Sequence, residues 1–107
     1  MGVAHANDDE HGDYCHGTNV IVGSRQNDVI PGTRCDDTIW GLKGNDRISG
    51  NGGEDTLLGN GGNDRLNGVD VFGSPEPDVL RGGRGFDACV GDPFDTFLGC
   101  ESVEILF

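Results

Sequence analysis

Asp28, Asp37, Asp46, Asp55 and Asp64 stand nine residues apart. Each follows a glycine by five places (Gly23, Gly32, Gly41, Gly50, Gly59) and precedes an aliphatic residue by two (Ile30, Ile39, Ile48, Leu57, Leu66). Carboxylates in such a series either solvate the chain or gather oxygen ligands for hard cations, which prefer carboxylate and carbonyl oxygens. The fixed glycine and aliphatic places favour the second use.

Composition sharpens that choice. The 107 residues make at most one domain. Twenty glycines and few aromatics are poor material for a conventional core. A formal charge of −12 on so apolar-poor a chain would ordinarily indicate disorder. With only seven Lys and Arg there is no basic patch to neutralise nucleic-acid phosphates. No apolar run reaches the ~18 residues of a membrane-spanning helix. Catalytic groupings are absent too: no Ser/His/Asp or Cys/His arrangement stands out, and His5, His11 and His16 lie in or near the N-terminal leader. The expectation is a chain that is not an enzyme.

The nine-residue frame extends beyond its five clean units. Upstream, Tyr14–Val22 keeps Gly17 fourth, Asn19 sixth and Ile21 eighth. Downstream, an interruption at Gly68–Phe72 is followed by Gly73–Arg81, with Asp78 sixth and Leu80 eighth. Gly82–Val90 places Asp87 sixth and Cys89 eighth. Gly91–Gly99 keeps Leu98 eighth but has Thr96 sixth. The tail then alternates Val103, Ile105 and Phe107 with polar residues, as a last edge strand would.

The pattern G-G-x-G-x-D-x-U-x in these units resembles the RTX, or hemolysin-type, calcium-binding nonapeptide repeat. The resemblance implies an all-β fold, a right-handed parallel β-roll of about four to five coils. Each nonamer would supply a turn from its first six residues and a strand from its last three. Two nonamers complete a coil, so alternate units stack. The expected organisation is a disordered leader over residues 1–13, a roll over residues 14–99 with an insertion at 68–72, and a capping strand over residues 100–107. The insertion is read as a loop bulging at a coil edge, with exposed Val69, Val71 and Phe72 as the functional alternative.

The resemblance also implies ligands. Carbonyls of positions two and four and the sixth-position aspartate of one unit would face carbonyls of positions one and three and the aspartate of the unit two further on. Asp28, Asp46, Asp64 and Asp87 form one row; Asn19, Asp37, Asp55 and Asp78 form the other. The leading site joins Leu42, Gly44 and Asp46 to Gly59, Gly61 and Asp64. A second joins Asn60, Gly62 and Asp64 to Gly82, Arg84 and Asp87. A third joins Asn51, Gly53 and Asp55 to Gly73, Pro75 and Asp78. Nearer the N-terminus, Ser24, Gln26 and Asp28 would face Gly41, Lys43 and Asp46, and Thr33, Cys35 and Asp37 would face Gly50, Gly52 and Asp55. Gln26, Cys35 and Glu76 replace the family's fourth-position glycine, and Asn19 is a neutral ligand, which weakens the end sites. Up to about six Ca2+ ions would fit, and their charge would match the formal −12.

Four cysteines admit three pairings. On a β-roll, Cys15 and Cys35 occupy turns of equal parity in adjacent coils, and Cys89 points inward near Cys100. The expected bridges are Cys15–Cys35 and Cys89–Cys100, one at each end. Ala4-His5-Ala6 has the A-x-A form of a signal-peptidase site, and its cleavage would leave Asn7 as the mature terminus. Together with the disulfides it implies a small secreted, extracellular bacterial protein. Its expected role is calcium binding, with folding driven by extracellular Ca2+; the alternative is a calcium-stiffened module for adhesion to a protein or cell-wall partner, with Trp40, Val71 and Phe72 as contacts.

Overall fold

The computed structural model describes residues 17–70 and 76–106. Ten strands follow one another: β1 (Asn19–Val22), β2 (Val29–Pro31), β3 (Asp37–Trp40), β4 (Arg47–Ser49), β5 (Thr56–Leu58), β6 (Arg65–Asn67), β7 (Val79–Arg81), β8 (Ala88–Gly91), β9 (Thr96–Leu98) and β10 (Ser102–Ile105). The odd strands form one parallel sheet in the order β1-β3-β5-β7-β9, and the even strands form a second, β10-β8-β6-β4-β2. The chain is therefore a parallel β-solenoid of about five coils with two strands per coil.

The strands are short because each nonamer has only three residues free of the turn. Within that triplet, alternation sends the middle side chain inward and its neighbours outward. Ile21, Ile30, Ile39, Ile48, Leu57, Leu66, Leu80 and Cys89 meet between the sheets as one buried cluster. The core is thus one residue per strand wide. Burying each such aliphatic contributes about 1.5–3 kcal/mol, but a single coil has nothing to bury its side chains against. Stability must come from stacking.

Stacking distances along the chain vary in an informative way. Sixth-position groups are 18 residues apart through the clean units, and 23 apart across the interruption. The extra residues fall inside one turn, after Gly68. Gly68 N–H donates to the Val90 carbonyl, as Gly41 N–H does to Leu58 and Gly59 N–H to Arg81. Gly68 therefore takes the first-glycine place that the sequence pattern gives to Gly73, a residue outside the described ones.

The next turn is one residue short, with a separation of 17. This corrects the reading of Leu98 as an inward residue. Phe97 pairs with Leu80, and Leu98 with Arg81. Phe97 packs against the core, whereas Leu98 is 45% exposed. At the C-terminal end β10 is the edge strand against β8, and the Cys89–Cys100 disulfide ties the inward face of β8 to the cap. The expected Cys15–Cys35 bridge involves Cys15, which lies outside the described residues; no described cysteine is free.

The shifted register makes a direct prediction for chemical denaturation in saturating calcium. Phe97→Ala should cost about 1.5–3 kcal/mol by removing a partly buried ring from the end of the core. Leu98→Ala should change stability by less than about 0.5 kcal/mol. A larger loss for Leu98 would restore the unshifted register.

Candidate metal centre

Along each flank of the core runs a file of buried carboxylates. Asp28, Asp37, Asp46, Asp55, Asp64, Asp78 and Asp87 are all at most 2% exposed. They are linked end to end. The Asp28 N–H donates to Asp46 Oδ1 (2.9 Å), Asp46 N–H to Asp64 Oδ1 (2.8 Å) and Asp64 N–H to Asp87 Oδ1 (2.8 Å). On the other flank Asp37 N–H donates to Asp55 Oδ1 (2.8 Å) and Asp55 N–H to Asp78 Oδ1 (2.7 Å). These are the two rows expected from the nonamer parity.

Both rows run further than the sequence pattern indicated. Asp78 N–H donates to Asp95 Oδ1 and Asp87 N–H to Glu101 Oε1, each at 2.8 Å. Asp95 was hidden because its turn is a residue short. Glu101 was hidden because its turn is shorter still, with a separation of 14, and a side chain one methylene longer spans the gap. At the opposite end Asn19 has its amide donate to Asp37 Oδ1 and Thr33 Oγ1 (both 3.2 Å). A second ladder, unremarked in the sequence, uses the fifth positions. Asn27 Oδ1 accepts from Asn45 N–H, Asn45 Oδ1 from Asn63 N–H, and Asn63 Oδ1 from Phe86 N–H. The asparagine before Asp28, Asp46 and Asp64 therefore fixes the turn spacing on one flank, and Asp36 Oδ1 accepts from Glu54 N–H in the same way on the other.

From Asp46 onward, one carboxylate oxygen per residue is thus used in stacking. The other differs between turns. Ser24 donates its N–H (2.6 Å) and hydroxyl (3.1 Å) to Asp28 Oδ2, and Thr33 N–H donates to Asp37 Oδ2 (2.7 Å). In the turns of Asp46, Asp55, Asp64 and Asp87 the second position turns over to positive φ (Leu42 at 69°, Asn51 at 70°, Asn60 at 68° and Gly83 at 85°), while in the enlarged turn of Asp78 the Val69 N–H donates to Asn67 Oδ1 instead. No second-position N–H then satisfies the carboxylate. Asp46, Asp55, Asp64, Asp78 and Asp87 each keep a buried Oδ2 with no hydrogen-bond partner.

The glycines shape the space in front of those oxygens. A Cβ at Gly41 would lie 2.6 Å from Asp46 Oδ2 and 3.0 Å from the Gly59 carbonyl oxygen. The fourth-position Gly44 has φ 94°, and its Cβ would fall 2.4 Å from the Gln26 carbonyl of the coil before it. The predicted members of the leading site are accordingly stacked on one another, and Gly61 N–H also meets the Leu42 carbonyl at 3.2 Å. Gly73 and Pro75 of the third predicted site lie outside the described residues. A partnerless carboxylate oxygen beside a carbonyl oxygen, in a space cleared of side chain, has the donor set that a hard cation takes.

Burial penalises the charged form. It pushes the carboxyls of Asp46 and Asp95 up to about 6, Asp64 to about 7, Asp78 to about 8 and Asp55 to about 9. Stacked backbone N–H groups pull the other way, and neighbouring carboxylates add to the rise; at Asp55 these are Asp37, Asp78 and Asp70. Asp37, Asp70 and Asp87 are raised for the same leading cause. In the unfolded chain such groups ionise near 3.8, so the metal-free fold holds its protons more tightly than the unfolded chain. That contribution is complete below about pH 4 and is lost as the pH rises through the raised values. In a chelator, the melting temperature should fall by at least about 10 °C between about pH 4.5 and about pH 8.5. A melting temperature that climbs over that interval would contradict the burial of these carboxylates.

With this geometry in place, similarity to known proteins is narrow and specific. The model of the RTX calcium-binding nonapeptide repeat (4 copies) matches residues 17–48 and 32–66. No curated protein and no solved structure matches the chain significantly. The matched residues include Asp28, Asp37, Asp46, Asp55 and Asp64 with their turns, and over this stretch the chain carries the RTX calcium-binding nonapeptide repeat.

Proposed function

We propose that this is a secreted, extracellular, non-catalytic calcium-binding β-roll whose fold is completed by several Ca2+ ions. One observation carries the reading: the buried Oδ2 atoms of Asp46, Asp64 and Asp87 in one row, and of Asp55 and Asp78 in the other, have no partner. Leaving a buried carboxylate oxygen unpaired costs several kcal/mol, and an ion between coils would remove that cost. The residues assigned to hold it are, for the leading site, Asp46 and Asp64 with carbonyls of Leu42, Gly44, Gly59 and Gly61. The next uses Asp64 and Asp87 with carbonyls of Asn60, Gly62, Gly82 and Arg84. Asn51, Gly53 and Asp55 contribute on the other flank with Asp78.

The N-terminal turns are assigned a weaker role. Ser24 and Thr33 already satisfy Asp28 and Asp37 with hydrogen bonds, so an ion there must displace donors. Carboxylates held by an ion stay deprotonated and serve poorly as general acids, which supports the non-catalytic reading. The disulfide supports an oxidising, extracellular setting, where calcium modules bind at about 10⁻⁴–10⁻³ M.

A second reading, surface adhesion, has one observation in its favour. The outward ninth positions of the odd-strand sheet align Val22, Trp40, Leu58, Arg81 and Leu98, and Trp40 is 39% exposed. If this stripe docks on a cell wall, Trp40→Ala should reduce co-sedimentation with a purified wall preparation in calcium; unchanged sedimentation would remove the reading.

Calcium-linked folding is tested by circular dichroism through a calcium titration with disulfides intact. β-Structure should grow with calcium, and a spectrum already complete after exhaustive chelation would refute the proposal. Asp64 stacks on both neighbours of its row, whereas Asn19 ends its row. Asp64→Ala should therefore lower the apparent calcium affinity at least about tenfold, a loss of ~1.4 kcal/mol or more, while Asn19→Ala should have a much smaller effect. Equal effects would mean that the row assignment is wrong.

A further inference from the structure

The turn enlarged after Gly68 does more than bulge. It carries Asp70 back over the second carboxylate row, where ligand oxygens of Asp55, Asp70 and Asp78 lie within 4.8 Å of one another. Each of the three carboxylates has one oxygen tied down. Asp55 Oδ1 accepts from Asp37 N–H, Asp78 Oδ1 from Asp55 N–H, and Asp70 Oδ2 from Glu76 N–H. Each also keeps one buried oxygen with no partner: Asp55 Oδ2, Asp78 Oδ2 and Asp70 Oδ1. Asp55 and Asp78 are 2% and 1% exposed, so water does not reach those oxygens.

Two further carboxylates close the cluster from the next coil. Asp92 is 5% exposed with an unpartnered Oδ2, and its charge falls on both Asp70 and Asp78. Asp95 Oδ2, which accepts from Asp92 N–H (2.8 Å), and Asp78 Oδ2 each lie 3.2 Å from the place a Cβ would take on Gly68. Among the described residues, no comparable group of three carboxylates lies on the other row. Oxygens that share one Ca2+ at about 2.3–2.6 Å can be no more than about 5 Å apart, and the three-carboxylate group meets that limit.

We propose that the enlarged turn builds a cation site of its own, in which the Asp70 carboxylate joins Asp55 and Asp78, and that this is the tightest calcium site of the chain. The inference rests on the calcium reading above but departs from the nonapeptide pattern. Asp70 belongs to no nine-residue unit and lies beyond the residues that match the repeat family. Affinity at oxygen sites rises with the number of charged ligands and with rigidity. Here three carboxylates converge, with Asp92 adjacent, where the pattern alone supplies two.

The test compares wild type, Asp70→Asn and Asp64→Asn by calorimetric Ca2+ titration, with thermal melts in chelator and in millimolar calcium. Asparagine at position 70 keeps an acceptor for Glu76 N–H while removing the charge. Asp70→Asn should weaken the tightest site at least about tenfold and leave the weaker sites unchanged. It should also raise the melting temperature in chelator, where the cluster only repels, and shrink the further rise on adding calcium. Asp64→Asn should show the reverse pattern, losing weaker sites and keeping the tight one. A wild-type isotherm for Asp70→Asn would overturn the proposal. So would equal stabilisation by that substitution with and without calcium, which would mark Asp70 as strain alone. A wild-type protein that takes up no calcium would instead fail the calcium reading itself, and this inference with it.

Discussion

Each buried aspartate in the roll meets two demands with one side chain. Its Oδ1, in all but Asp28 and Asp37 near the row ends, accepts the N–H of the aspartate a coil earlier, which holds adjacent turns in register. Its Oδ2 is directed into the space in front of a first-position glycine, where five of the seven find no hydrogen-bond partner. Residue choice follows from this double use. Asparagine could serve the first demand but would place an amide donor or a neutral oxygen at the second. That is tolerable at Asn19, which has no preceding described coil to bind and whose amide donates instead to Asp37. Glutamate enters at Glu101, where the final turn is too short for aspartate to reach.

The same side chains set the energy balance of the coil. Each coil buries about two aliphatic side chains, worth about 1.5–3 kcal/mol apiece, beside about two carboxylates whose desolvation costs several kcal/mol each when unpaired. The terms are of similar size and opposite sign, so the middle of the roll is poised. Protons or cations on the carboxylates decide which way it goes, and their effects have opposite pH dependence. The ends are built differently. Ser24 and Thr33 close the first turns with hydrogen bonds, and a disulfide pins β8 to the C-terminal cap. Fraying is resisted where stacking is one-sided, and the cation-sensitive turns are kept in the interior.

Most of this was legible in the sequence because a nine-residue period leaves little freedom. Once Asp46 and Asp64 are placed in one row, the inward direction of Ile48 and Leu66 follows. What was misread was misread at changes of length. A turn shortened by one residue moved Phe97 into the core and Asp95 into the carboxylate row. A fixed nine-residue frame had assigned those roles to Leu98 and Thr96. A backbone hydrogen bond from Gly68, invisible to pattern matching, placed the extra residues inside a turn rather than between units. The asparagine ladder of Asn27, Asn45 and Asn63 was visible as a repeated letter, but its partner is a backbone N–H two units away. In the regular turns, the difference between hydrogen-bonded and partnerless carboxylates follows the sign of φ at one residue. Leucine at position 42 gives no hint of it, since leucine seldom adopts positive φ.

That last point bears on how the solenoid absorbs irregularity. Strands contribute one core residue each, so a coil accepts any turn that returns the sixth-position carboxylate and the eighth-position aliphatic to their places. The observed separations of 17, 18 and 23 residues all do so, and the separation of 14 at the exposed cap returns only the acid. Turn length is therefore nearly free with respect to packing and is constrained mainly by what the turn brings to the carboxylate row. A shorter turn brings a different acid, Asp95 or Glu101; a longer one brings an additional acid, Asp70. In each case the departure from the period keeps the row supplied with negative charge, against the repulsion that row already bears. Packing alone would favour removing those charges, so their retention at every irregular turn is most simply read as selection for what the row holds.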